Sequence, residues 1–279
     1  MSEFLEILFD PLFRMPFVTG LALAIALSLT GAWLRMRNEW LVALGLSQAA
    51  AAGGMGAVAL GLPVLAGAFG VTGLAMGVLL LLPRVSNSNY GLLILAGWAG
   101  TLLLGHNTDQ GTVISETLLR GDLYYARAAH AGAALLLAMA VVGPMPWLSR
   151  RLLTERFFPD YYTGNRIPAW PHRTLFAVVV VACTVLGTDA MGVFPAFALF
   201  FFPSWAGFVI VDGWARSLAV TVVIALVGYL GSFVAAIAFD QPFGPCLVAA
   251  LALLSSLRFL TALRRRTGQA TRDAAPAAG

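Results

Sequence analysis

Forty-three consecutive residues, Leu41 to Pro83, contain no aspartate, glutamate, lysine or arginine. A bilayer crossing takes about 20 apolar residues, within a usable range of roughly 17–25, so this run is long enough for two. "GLP", Gly61 to Pro63, is the breaker between them. Hydrophobic residues make up 59% of the chain and charged ones 11%, against roughly 45–50% and about 25% in soluble domains. No water-soluble interior absorbs that excess. Most of the chain must lie in lipid, which predicts an all-α integral membrane protein built as a polytopic helical bundle.

The uncharged windows divide into nine candidate spans: Phe17–Leu34, Trp40–Leu60, Pro63–Leu82, Asn89–Leu104, Tyr125–Leu148, Leu175–Leu186, Met191–Val211, Leu218–Phe239 and Phe243–Leu263. "PRVSNSN" separates the third from the fourth, and "DQPFGP" the last two. Thr174 to Val211, at 38 residues, is too long for one helix and short for two, and its only break is the "GTDAMG" turn. The sixth span is then short, or extends to Asp189. Taking that stretch as a single span gives eight.

Arginine placement favours nine. Cytoplasmic loops collect basic residues. With nine spans and the N-terminus outside, 13 of the 17 arginines fall on the cytoplasmic side, and so does the C-terminus. "RMR" and "RRR" both want that side, so an even number of spans must separate them, and eight do. Residues 1–16 read as an N-terminal interfacial segment and 17–263 as the transmembrane unit. Residues 264–279 read as a disordered cytoplasmic tail, from their Ala, Pro and polar content.

Several functions are excluded or disfavoured. There is no lysine, a compositional bias, and the arginines lie at helix ends, so the net charge of +4 does not indicate nucleic-acid binding. Cys183 and Cys246 lie in apolar segments without CxxC spacing and read as packed thiols. Glu3, Glu6 and Asp10 give the first 17 residues the wrong charge pattern for a cleavable signal peptide. No HExxH, GxSxG or Walker sequence occurs. Ionisable residues at membrane depth are few: His130, Asp189 in "GTDAMG", and Asp240 at a helix end. Each costs at least ~2.5–3.5 kcal/mol at a span centre and is a functional candidate by default. His130 reads as a hydrogen-bonded packing residue and Asp189 as a turn residue. His106, Asp109, Glu116 and Asp122 read as a hydrated external loop, because their spacing matches no compact metal pattern.

The order of segments resembles the membrane subunit of the zinc/manganese/iron class of ABC importers, the ABC-3 family, from about Pro11 to about Leu263. A Pro-Phe entry and a basic pair bound the first helix in "MPFVTGLALAIALSLTGAWLRMR". "ALGLSQA", Ala43 to Ala49, aligns with the family's "GDALSHA"-like segment. "YGLLILAGWAGTLLLG", "LLRGDLYYA", "MGVFPAFALFFFP" and "AFDQPFGPCLVA" follow in family order.

The resemblance implies a permease without enzymatic activity or cofactor of its own, in a bacterial inner membrane. It implies three protein partners: an ABC ATPase subunit, an extracytoplasmic solute-binding protein and a second permease protomer. It also implies that the loop from Glu155 to Ile167 docks into the ATPase, with Phe157, Phe158, Asp160, Tyr161 and Tyr162 as the coupling residues. The family's Asp and His, one helical turn apart on one face, correspond to Leu44 and Gln48, which are not metal ligands. Ser47 and Gln48 remain as polar groups to line a pathway. Two other readings stay open: a non-transporting scaffold or sensor subunit of the same fold, and a membrane enzyme using His130 with acidic loop residues.

Overall fold

The computed structural model describes residues 11–82, 85–109, 111–121, 123–158 and 160–273, and no strand occurs among them. The helices are α1 (Pro11–Met36), α2 (Leu41–Ala59), α3 (Val64–Leu81), α4 (Asn87–His106), α5 (Gly111–Arg120), α6 (Ala128–Val142) and α7 (Met145–Phe157). They continue as α8 (Tyr161–Gly164), α9 (Trp170–Met191), α10 (Val193–Ile210), α11 (Trp214–Ala238) and α12 (Phe243–Asp273). Among the described residues seven helices are long and apolar enough to cross a membrane: α1, α2, α3, α4, α9, α10 and α11. An eighth crossing results if α6 and α7, bent by 53°, form one span. The apolar part of α12, Phe243–Ser256, is shorter. Seven of the nine expected spans thus fall on single long apolar helices, whereas Tyr125–Leu148 is divided between α6 and α7 and Phe243–Leu263 falls on a helix with a shorter apolar part.

The breaks have local causes. Asn38, with φ of 63°, ends the turn after α1, a conformation asparagine adopts more readily than most residues. Pro144, just before α7, lacks the N–H that would continue α6, and the axis bends there. The boundary inside Thr174–Val211 differs from the expected one. The helix runs through "GTDAMG" to Met191, and Gly192 alone, at φ of 88°, separates α9 from α10. Asp189 therefore lies in the last turn of a helix. At the other terminus, α12 continues through Arg264 to Asp273, where the sequence suggested a tail; Arg, Ala and Gln there are good helix formers. Residues 1–10 lie outside the described part, as do 274–279.

The most enclosed elements are α1 and α2. Leu23, Leu27, Trp33 and Leu34 of α1 are fully buried, and Trp33 Nε1 donates to Ser149 Oγ of α7 at 3.1 Å. At the opposite end Phe17, Tyr229, Phe233 and Phe243 pack ring against ring, and Tyr229 donates its hydroxyl to the Phe17 carbonyl at 3.0 Å.

The small residues of α2 let α3 and α4 approach its backbone. A Cβ on Gly53 would collide with the Gly67 carbonyl of α3 and lie 2.7 Å from Val71 Cβ. One on Gly97 of α4 would stand 2.7 Å from the Gln48 carbonyl carbon. Lipid tails supply no hydrophobic drive between helices, so association relies on such close packing. By contrast, α3 and α4 turn large apolar side chains such as Leu74, Leu92 and Leu95 outward.

Candidate functional site

Three places hold the sequence-predicted residues. The first is the middle of α2. Ser47 and Gln48 are 0% and 2% exposed, and neither Ser47 Oγ nor Gln48 Oε1 has a hydrogen-bond partner. Thr72 Oγ1 on α3 is likewise buried and unpartnered. Leaving such a group unsatisfied costs about 1–3 kcal/mol. Helical register puts Gln48 on the same face as Leu44, Ala51 and Met55, which pack toward Leu118 of α5 and Val193 of α10. Ser47 shares the adjacent face with Ala50, which packs against Ala68 and Val185. The donor set at this level is neutral oxygen. Among the described residues no three His, Cys, Asp or Glu side chains stand close enough to hold a metal ion.

The second place was not visible as a unit in the sequence. His130, in the first turn of α6, and Asp189, in the last turn of α9, face each other with Nε2 3.4 Å from Oδ2. His130 Nδ1 accepts the Arg127 backbone N–H at 3.0 Å. An accepting Nδ1 carries no proton, so the ring proton is on Nε2 and points at the carboxylate. A metal-bound imidazole has the reverse arrangement, donating from its free nitrogen. The pair is therefore a close polar contact that ties α6 to α9. A space of about 10 Å³ beside it, bordered by Thr19, Leu23 and Ala134, has room for one water. The clue was the scarcity of intramembrane charge: ionisable residues at that depth pair with one another.

The expected outcome for this tie is asymmetric. His130→Ala leaves the Asp189 carboxylate without its donor and should lower stability by about 1–3 kcal/mol. Replacing both residues with leucine should recover most of that loss, because nothing polar is stranded. Thermal unfolding in detergent reads both.

The third place is the arginine-rich end, where α1, α7, α9, α11 and α12 present Arg35, Arg151, Arg173, Arg216 and Arg258. Phe157, Phe158 and Tyr161 project outward, 70%, 65% and 45% exposed, and Asp160 is exposed beside them. Tyr162 departs from the expected docking role. It is 5% exposed, donates its hydroxyl to the Arg151 carbonyl at 3.2 Å, and its ring lies 4.8 Å from that of His172. A side chain enclosed by its own chain cannot anchor a partner. His172 Nε2 donates to Glu155 Oε2 at 3.0 Å, and Arg173 to Glu155 Oε1 at 2.6 Å. A cavity of about 350 Å³ opens beside this cluster, with the Arg37–Glu39 ion pair, Tyr90 and Met76 on its walls.

In the segment that follows α4, Glu116 pairs with Arg120 at 3.9 Å on the surface. Asp122 lies outside the described residues.

The described residues thus form a bundle of apolar helices with an arginine-rich end that carries an aromatic arm. The sequence profile of the ABC 3 transport family matches residues 10–262, and the chain belongs to that family, as a membrane permease subunit of an ABC transporter. The fold is similar to a chain of PsaBC from Streptococcus pneumoniae in complex with Fab, with a TM-score of 0.80 at 16% identity, covering 92% of this chain and 95% of that one. It is also similar to a chain from an inward-facing ABC transporter described as of the metal-chelate type, with a TM-score of 0.69 at 15% identity, covering 88% and 85%. No curated protein sequence matches the chain.

Proposed function

We propose that the protein is the permease of an importer for a metal ion or a metal complex, working in a bacterial inner membrane with a separate ABC ATPase, an extracytoplasmic solute-binding protein and a second permease protomer. The observation that carries this reading is the family match over nearly the whole length, joined to the exposed aromatic arm. The arginine-rich end is the cytoplasmic one, by the bias of basic residues toward that side. ATP hydrolysis belongs to the partner, and the chain itself is not an enzyme.

The donor set favours a complexed metal as cargo. By the resemblance in sequence, Leu44 and Gln48 correspond to the family's acidic and imidazole ligands, and the buried unpartnered groups nearby are hydroxyls and an amide. Neutral oxygens are poor ligands for zinc or similar ions. A metal that arrives already chelated needs hydrogen bonds from the protein, and unpartnered Ser47 and Gln48 supply them.

Two measurements test this. The protein purified from its native membrane should retain an ABC ATPase, and deletion should lower accumulation of at least one metal when the medium supplies it free or chelated. Unchanged accumulation of every metal tested in both forms would count against the reading. Gln48→Leu should leave the fold intact, since it removes an unsatisfied group, while uptake falls about tenfold, the weight of one hydrogen bond of about 1.4 kcal/mol to cargo.

A further inference from the structure

We infer that Glu155 is a positioning residue that clamps the ATPase-docking arm to the foot of α9, so that movement of the arm is passed along α9 to the opposite side of the membrane. The inference rests on the permease reading above.

Glu155 stands near the end of α7, and its two oxygens take different donors from consecutive residues of the α9 first turn, His172 on Oε2 and Arg173 on Oε1. A carboxylate there also faces the positive end of the α9 dipole. Tyr162 of α8 closes the structure, its ring against His172 and its hydroxyl on the Arg151 carbonyl of α7. The arm is thus pinned to both α7 and α9. Binding alone requires only the outward aromatics. Enclosing His172 at 2% exposure against a carboxylate is costly in desolvation, and what it contributes is stiffness.

The helix so gripped is suited to carry displacement. It has 22 residues, about 33 Å of rise, with proline only in its first turn. Its far end holds Asp189, tied to His130 of α6, and then the Gly192 junction with α10. The 350 Å³ cavity flanking Glu155 and Arg173 leaves space for the foot of α9 to shift.

The test uses the full chain co-purified with its ATPase, in proteoliposomes. Cys246→Ser removes the more accessible of the two thiols, and a bimane label on Gln241→Cys reports motion at the far side. ATP should change the label's emission in the unaltered clamp. Glu155→Gln should keep the ATPase bound and hydrolysing ATP, while the ATP-dependent signal falls about 3- to 30-fold. Glu155→Asp should restore part of it, and Tyr162→Phe should give a smaller loss in the same direction. If the Gln variant does not fold, the Asp and Phe variants carry the comparison. An undiminished signal in Glu155→Gln, or in Tyr162→Phe and Glu155→Asp if those alone fold, overturns the inference. So does loss of ATPase binding in the clamp variants, since Glu155 would then merely build the docking surface. If the unaltered chain retains no ATPase, the permease reading fails and the clamp with it; if it does and the signal is unaffected, only the clamp fails.

Discussion

Replacing Phe157 and Tyr161 together with alanine is expected to strip the ATPase from the purified permease while leaving the permease folded. Both side chains point away from the bundle, so their loss creates no cavity, and surface substitutions away from packing features stay within about 0.5 kcal/mol. In a partner's pocket the same rings would be anchors. Aromatic hot spots each account for about 2 kcal/mol or more of binding, so the loss of both should weaken association about 1,000-fold. Co-purification and a thermal melt of the permease alone separate the two effects. Tyr162→Ala should behave differently, lowering the melt, because Tyr162 is enclosed and braces His172.

The second large effect is expected at Gly53. Valine there must occupy the space of the Gly67 carbonyl and the Val71 side chain, so α2 and α3 have to separate. Overpacking costs about 1–3 kcal/mol, occasionally more, out of a total of about 5–15 kcal/mol. At about 2–4 °C per kcal/mol for a chain of this size, the melting midpoint should fall by about 2–12 °C. Gly70→Val on α3 is the control. No heavy atom lies within 4 Å of a Cβ at that position, and the substitution should leave the midpoint unchanged or slightly raised.

What could be read from the sequence follows from the solvent. A charge-free run in lipid has one local solution, a helix that satisfies its own backbone, so windows such as Leu41–Ala59 and Val64–Leu81 became helices without reference to the rest of the chain. The Gly and Ala content of α2 likewise pointed to close packing, and Gly53, Gly67 and Gly97 supply it. Relations between distant segments were not legible. His130 and Asp189 are 59 positions apart, and only the way α6 lies beside α9 makes them partners. Tyr162 sits one residue from Tyr161 and looks equivalent in sequence. In a helical turn neighbouring residues point about 100° apart, so one faces outward and the other His172. In the sequence, the "GTDAMG" stretch is the only break in the 38-residue run from Thr174 to Val211. Packing kept five of its six residues helical and left the break to Gly192.

That junction also limits how the chain can vary. One residue joins α9 to α10, and the Gly121 backbone packs against the Met191 carbonyl with no room for a side chain between them. Inserting one amino acid there would rotate α10 by about 100° about its axis and carry Ala196, Leu199 and Phe200 out of the core. Epitope tags and natural length variation should therefore be tolerated in the exposed turn around Asn107 and excluded from this position, where the spacing between two helices is set to the residue.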